Sequence, residues 1–370
     1  MHQINQTIQM LERFIARKER LRREHPLSYL FWEATLRCNL NCLHCGSDCY
    51  KDNRTVPDEL VVAIIKAELT AIAECYDPQK ITFAIIGGEP LLRPDIIDVG
   101  ATAADLGYFW GITTNGMLLN KKTIRRLKDA RLATISISLD GLKQDHDRLR
   151  NRPGAYQTVV AGIRQLVAMP FYKKFDVICC VSKLNINTLD PFVQSLIALE
   201  VPALRFVPVF SRGRAVSNPH LMLDRDDYLT LLNFIAAKRQ SEDRIRINLG
   251  EEGYWGPQWE CRVRDNFHYC GSGINIGSIL YNGDVMGCPS VSRKFIQGNI
   301  KKTSFLDIWK NGFYAYRKGR QDLFQDKCDG CDHWILCEGG GFHLLEQGEI
   351  GKVCNYRQLI QKGEKGYGKT

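Results

Sequence analysis

The run Tyr29-Leu-Phe-Trp-Glu-Ala-Thr-Leu36-Arg37-Cys38-Asn-Leu-Asn-Cys42-Leu-His-Cys45 sets an apolar, β-prone stretch directly before three closely spaced cysteines. Tyr29–Leu36 reads as a buried strand, and a tight loop carrying Cys38, Cys42 and Cys45 follows it. Three thiolates on such a loop can hold three irons of a four-iron cluster and leave the fourth iron open to a substrate or cofactor. A zinc site would need a fourth protein ligand, for which His44 or Cys49 would serve. The loop stands at the C-terminal end of its strand, where barrels of alternating strands and helices build active sites, and this favours the cluster.

Outward from this stretch the same pattern repeats. Ile81–Ile86, Tyr108–Thr113, Ala133–Leu139, Phe175–Ser182 and Ala203–Phe210 are short apolar runs separated by helical stretches. Six βα units demand parallel strands with right-handed crossovers, and six fall short of the eight that close a full barrel. The expected fold is therefore α/β, a partial (β/α)6 TIM-like barrel. Ahead of it, Ile4, Ile8, Leu11, Phe14, Ile15 and Leu21 recur at near-helical spacing, giving an amphipathic helix ended by His25-Pro26. After Arg214 the alternation stops, and a helix around Arg225–Lys238 leads into a stretch rich in Gly, Trp and Cys from Gly250 to Cys270. The expected organisation is an N-terminal helix over 1–27, the barrel over 28–225, a connecting segment over 226–258 and a cysteine-rich domain over 259–370. That last domain shows a hairpin signal, with Ile274–Leu280 and Asp284–Met286 flanking Asn282-Gly283, then a helix through Leu306–Tyr316. Seven of the fourteen cysteines lie between Cys261 and Cys354, so metal coordination is expected to supply stability that a sparse core does not.

The chain has 370 residues, 44% hydrophobic and 25% charged, which excludes disorder over most of its length. It contains no apolar run long enough to span a membrane, and its basic N-terminus is no secretory signal, so a cytoplasmic location is expected. Disulfide scaffolds are short and secreted, which leaves metal ligation as the better use of the cysteines. The net charge of +9 includes Arg13, Arg17, Lys18, Arg20, Arg22 and Arg23 at one end and Lys362, Lys365 and Lys369 at the other. No aromatic residues are interleaved to stack bases, so a solvated surface is expected and no nucleic-acid partner.

The cysteine triad resembles that of the radical S-adenosylmethionine (radical SAM) enzymes, in which the open iron of a [4Fe-4S] cluster binds the amino and carboxylate groups of SAM. Further motifs follow in that family's order. Gly87-Gly88-Glu89-Pro90 is similar to the turn that holds the methionyl ammonium, and Thr113-Thr114-Asn115-Gly116 resembles the next turn. Ser136-Ile137-Ser138-Leu139-Asp140-Gly141 with His146, Asp147 and Arg150 resembles the fourth-strand pattern. The resemblance implies that Ser138 and Arg150 touch the SAM carboxylate or ribose, while Ser136 and Asp140 shape the turn.

The C-terminal cysteines are similar to those of the SPASM domain, which carries two auxiliary iron–sulfur clusters. The resemblance gives one cluster four thiolates, Cys328, Cys331, Cys337 and Cys354. It gives the first only three, Cys261, Cys270 and Cys288, because Gly341 stands where a fourth cysteine is expected. The first cluster is then open, completed by a group such as His343 or Glu338, or replaced by a smaller cluster. Cys49 is read as surface or substrate-facing, and His44 as packing against the cluster. Cys179 and Cys180 share one strand, so alternation sends one inward; a thiol there is a candidate hydrogen-atom donor, although a small core residue is the plainer reading.

The implied activity is reductive cleavage of SAM to a 5′-deoxyadenosyl radical that modifies a peptide or protein side chain by crosslinking, thioether formation, excision or oxidation. Pro289 after Cys288 disfavours the sulfatase-maturing subgroup, which has an aspartate there. About 28 residues precede the first strand, too few for a leader-binding module, so a separate leader-binding protein, the N-terminal helix or no leader at all is expected. An electron donor such as flavodoxin or ferredoxin is implied. Two alternatives stand beside this reading, a small-molecule dehydrogenase and a noncatalytic iron–sulfur or zinc scaffold. A scaffold has no use for the SAM-pocket motifs.

Overall fold

The computed structural model describes residues 2–47, 49, 56, 58–250, 253–345 and 354–360. Lys362, Lys365 and Lys369 lie outside the described residues, as do the side chains of Ile4 and Ile8. Helix α1 (His2–Glu24) precedes β1 (Tyr29–Glu33), the strand that carries the triad loop. From β1 the sheet continues through β2 (Thr82–Ile86), β3 (Phe109–Thr114), β4 (Thr134–Ser138), β5 (Lys174–Val181) and β6 (Ala203–Pro208), each parallel to the one before. Between them run α2 (Val62–Cys75), α3 (Ile96–Asp105), α4 (Lys121–Asp129), α5 (Lys143–Leu149), α6 (Ala155–Val167) and α7 (Leu189–Ala198).

Alternation along the strands divides the sheet into two faces. Leu30, Trp32, Phe83, Ile85, Ile135, Ile137, Val177 and Cys179 are buried in one core with Ile65, Leu69 and Ile72 of α2 and Ile163 and Leu166 of α6. Full burial of each such aliphatic side chain contributes about 1.5–3 kcal/mol, so the helical layer is held by ordinary packing. The opposite face carries Ser136, Ser138, Asp176, Cys180 and Arg205, and it forms a polar interior.

The parallel array is longer than the six expected strands. After α8 (Arg225–Ser241), strand β7 (Arg246–Leu249) pairs parallel with β6, so the segment over 226–258 adds a further unit to the sheet. With four residues and only Ile247 and Leu249 as its apolar pair, β7 has too short a pattern to stand out in the sequence. Past the short helix α9 (Pro257–Val263), β8 (Ile276–Ile279) pairs parallel with the other edge of β1. Strands β9 (Asp284–Met286) and β10 (Gly298–Asn299) follow antiparallel. The result is one open ten-stranded sheet in the order β10-β9-β8-β1-β2-β3-β4-β5-β6-β7.

The expected hairpin turn at Asn282-Gly283 is present. The expected helix over Leu306–Tyr316 divides into α10 (Phe305–Asn311) and α11 (Tyr314–Arg317), because Phe313 takes a left-handed backbone with φ +68°. The C-terminal core is also richer than expected: Ile279, Val285, Met286, Phe305, Trp309, Phe313, Tyr316 and Phe342 continue the core of the parallel sheet. Helix α1 packs onto this region rather than onto the strands it precedes. Its Phe14 ring lies 5.2 Å from Phe267, and its buried Lys18 places Nζ 3.0 Å from Glu338 Oε1, with Arg22 on the other oxygen. Among the described residues no helix is long and apolar enough to cross a membrane.

Candidate active site

The triad loop leaves the C-terminal end of β1 and lies against the loops that follow β2, β3 and β4. Cys38, Cys42, Cys45 and Cys49 line one cleft with Gly87, Gly88, Thr114, Asn115, Ser138, Arg150 and Arg214. Gly87 and Gly88 let the triad loop's backbone touch this turn: Gly88 N–H donates to Thr35 O and Glu89 N–H to Arg37 O, both at 2.8 Å. A Cβ on Gly88 would lie 2.2 Å from Arg37 O, so a side chain is sterically excluded there.

Donors are aimed at the sulfurs. Asn115 Nδ2 lies 3.8 Å from Cys38 Sγ, and Arg150 Nη1 lies 3.6 Å from Cys42 Sγ. Arg150 is held in turn by buried Asp140, with Nε 2.6 Å from Oδ2 and Nη2 3.0 Å from Oδ1. Despite its burial Asp140 stays below the usual carboxylate range, because Arg150 and the two histidines His44 and His146 surround it. Burial lowers both histidines to about 4, so they are neutral at pH 7.

Four of the expected site residues lie behind the cleft. Glu89 is fully buried and accepts from Thr114 Oγ1 at 2.8 Å, Asn115 N–H at 2.8 Å and Leu91 N–H at 3.1 Å. It thereby fastens the β2 turn to the β3 turn. Pro90 opens the short helical turn that Glu89 caps. Ser136 bonds Asp176 Oδ1 at 2.5 Å on the neighbouring strand, and Asp140 positions Arg150. Of the paired cysteines, Cys179 joins the helix-side core, while Cys180 faces inward beside His44 and Asp140.

The triad cleft fits an iron–sulfur cluster. Among the described residues the grouping tight enough for a single ion is His44, Asp140 and Cys180, not the triad, and Arg150 already neutralises that aspartate. Thiols that converge on one cleft without closing on a single point suit a larger group. Cys328, Cys331, Cys337 and Cys354 likewise line one cavity, walled by Tyr254, Phe324, Trp334 and Tyr356. Cys270 and Cys288 share a third cleft with Gly341 and His343, whereas Cys261 is exposed on α9 and lines none of these sites. Buried polar groups crowd this third site, and neither ring nitrogen of the buried His268 has a hydrogen-bond partner among the described residues. Glu338 is not available there, since Lys18 and Arg22 hold its carboxylate.

Sequence reasoning gave Arg214 no part in the site and left Cys49 as either surface or substrate-facing. Cys49 is 7% exposed and faces the triad. The spacing Cys45-x3-Cys49 was its one available signal.

The radical SAM superfamily profile matches residues 32–196, and the iron–sulfur cluster-binding SPASM profile matches residues 270–332. An AdoMet-dependent heme synthase of Methanosarcina barkeri is 28% identical over 327 residues, covering 83% of this chain and 89% of that protein. The mycofactocin maturase MftC of Mycobacterium tuberculosis is 28% identical over 319 residues, covering 84% of this chain and 77% of that protein. The crystal structure of Streptococcus suis SuiB bound to S-adenosylmethionine superposes with a TM-score of 0.68 at 18% identity, over 89% of this chain and 76% of that one. That likeness concerns the fold. With both profiles met in order along a chain whose triad and strand-end turns share one cleft, the protein belongs to the radical SAM superfamily, an enzyme with a SPASM domain whose cofactors are S-adenosylmethionine and iron–sulfur clusters.

Proposed function

We propose that the protein uses SAM to abstract a hydrogen atom from a peptide or protein side chain, with the cleft at Cys38, Cys42 and Cys45 as the place of reaction. The observation that carries this reading is that the triad, Gly87, Gly88, Thr114, Asn115, Ser138 and Arg150 line a single cleft at the ends of parallel strands. When bound there, a cluster on the triad supplies the electron that splits SAM into methionine and a 5′-deoxyadenosyl radical. The chain's own residues do the rest. Arg150, oriented by Asp140, presents a fixed cation to the carboxylate of SAM, and Ser138 and Thr114 offer hydroxyls beside it. The apolar helix-side core keeps these strand ends rigid.

Of the two candidate hydrogen donors the reading favours Cys180, which lies on the interior face beside His44 and Asp140, over Cys179, which is buried in the helix-side core. Cys328, Cys331, Cys337 and Cys354 would hold one auxiliary cluster, and Cys270 and Cys288 part of another. A flavodoxin or ferredoxin would supply electrons. The peptide assignment draws on the similarity to MftC and on the SPASM region. The similarity to the heme synthase favours a second reading, in which the substrate is an iron tetrapyrrole.

The test is anaerobic reconstitution followed by measurement of 5′-deoxyadenosine. Replacing Cys38, Cys42 and Cys45 together by alanine is expected to abolish its formation; undiminished cleavage in that variant would sink the assignment. Deuterium transfer into 5′-deoxyadenosine from labelled peptides encoded beside the gene, or from labelled iron coproporphyrin, separates the two substrate classes.

A further inference from the structure

The triad cleft holds a fourth thiol that the three-cysteine motif does not account for. Cys49 Sγ lies 3.5 Å from Cys45 Sγ and also hydrogen-bonds Cys38. A thiol within reach of two triad sulfurs is within reach of whatever those sulfurs hold. Arg214, brought in from beyond β6, fixes this arrangement: Nε donates to Cys42 O at 2.9 Å, Nη1 to Cys49 O at 3.1 Å, and Nη2 lies 3.5 Å from Cys49 Sγ. A permanent cation at that distance is placed to pair with the negative charge of a sulfur released from iron.

We propose that Cys49 is a fourth thiolate of the triad site, occupying in the SAM-free protein the coordination position that SAM takes, with Arg214 receiving the thiolate when it leaves. This rests on the radical SAM reading of the cleft. With a cluster bound, the exchange would be a ligand substitution without electron transfer: the Cys49 sulfur would leave with its electron pair and its charge beside the Arg214 guanidinium, and SAM, its ammonium giving a proton to solvent, would take the vacated position through its amino and carboxylate groups. The position is thereby capped until SAM arrives, which protects the iron most exposed to loss.

The experiment compares the reconstituted full-length wild type with Cys49→Ala and Cys49→Ser, all other cysteines intact. After mild oxidation without SAM, Cys49→Ala is expected to show a much larger three-iron EPR signal than wild type, and SAM should suppress the excess. Equilibrium dialysis should show tighter SAM binding in the variant, by about tenfold if Cys49 caps roughly nine-tenths of the wild-type molecules. Serine keeps the size and the contact to Arg214 but is a far weaker iron ligand, so Cys49→Ser is expected to follow alanine. Equal signals and equal SAM affinity in wild type and Cys49→Ala would overturn the proposal. So would a serine variant that behaves as wild type, because packing alone would then explain Cys49. A wild type that binds no SAM would instead remove the functional reading, and the exchange with it.

Discussion

Gly88 is where the backbone before Cys38 bears directly on the β2 turn, so Gly88→Ala is expected to disturb the triad from behind. The added methyl would lie 2.2 Å from Arg37 O and 2.7 Å from its carbonyl carbon. Carbon and oxygen in contact need about 3.3 Å, so one backbone must retreat by about 1 Å. Both partners are main chain, so neither can rotate out of the way. Retreat weakens the bonds from Gly88 N–H to Thr35 O and from Glu89 N–H to Arg37 O. Overpacking of this kind costs about 1–3 kcal/mol, and each weakened bond about 0.5–1.5 kcal/mol, for a total of about 2–6 kcal/mol. Arg37 immediately precedes Cys38, and a shift of about 1 Å exceeds the roughly 0.5 Å tolerance of a preorganised site. The assays are iron per chain after reconstitution and the denaturant midpoint. Gly46→Ala is the control, since a Cβ there would meet nothing closer than the Phe210 ring at 3.6 Å. Iron content and midpoint for Gly88→Ala equal to those of Gly46→Ala would refute the steric argument.

Two further outcomes follow from the same geometry. Burial pushes Glu89 up to about 7 from 4.5, against the hydrogen bonds from Asn115, Thr114 and Leu91 that pull it down. A carboxyl with a raised folded-state pKa contributes stability that is present below its unfolded value and lost as pH rises through its folded value. Stability should therefore fall between about pH 4.5 and pH 7, and Glu89→Gln should flatten that part of the profile measured by chemical denaturation; an identical slope in both proteins would contradict it. At the third cleft, Cys288→Ala is expected to lose auxiliary-cluster iron, while Cys261→Ala, changing an exposed thiol outside that cleft, retains it. Equal iron loss in the two would place Cys261 among the ligands after all.

The parallel array was legible because its strands are long enough to show their period. Lys174–Val181 alternates over eight residues, and Thr134–Ser138 places Ile135 and Ile137 on one face and Ser136 and Ser138 on the other. Strand β7 was not legible, since four residues cannot establish a period against background. The attachment of β8 to β1 was hidden for a different reason. Pairing between Tyr29–Trp32 and Ile276–Ile279 joins segments about 250 residues apart, and no local propensity records which edge a strand will find. The same limit applies to the site. Cys38, Cys42 and Cys45 are adjacent in sequence and could be read together, but Arg214 reaches Cys49 only after six strands have been laid down.

The long-range pairing also determines how the clefts relate. The triad loop leaves the C-terminal end of β1, and β8, whose hairpin leads to Cys288, is hydrogen-bonded to the opposite edge of that strand. The loop after β6 forms a second link. Arg214 N–H donates to Cys45 O at 2.9 Å, Arg212 Nη2 donates to Val291 O at 3.1 Å just past Cys288, and the Phe210 ring lies 5.2 Å from His343. Within five residues, Phe210–Arg214, one segment thus touches the triad, the strand exit at Cys288 and the wall of the auxiliary cleft. A shared strand and a shared loop leave little freedom for one site to move against the other. If the proposed ligand exchange moves charge toward Arg214, the backbone of that loop is the contiguous path by which it would reach the auxiliary cleft.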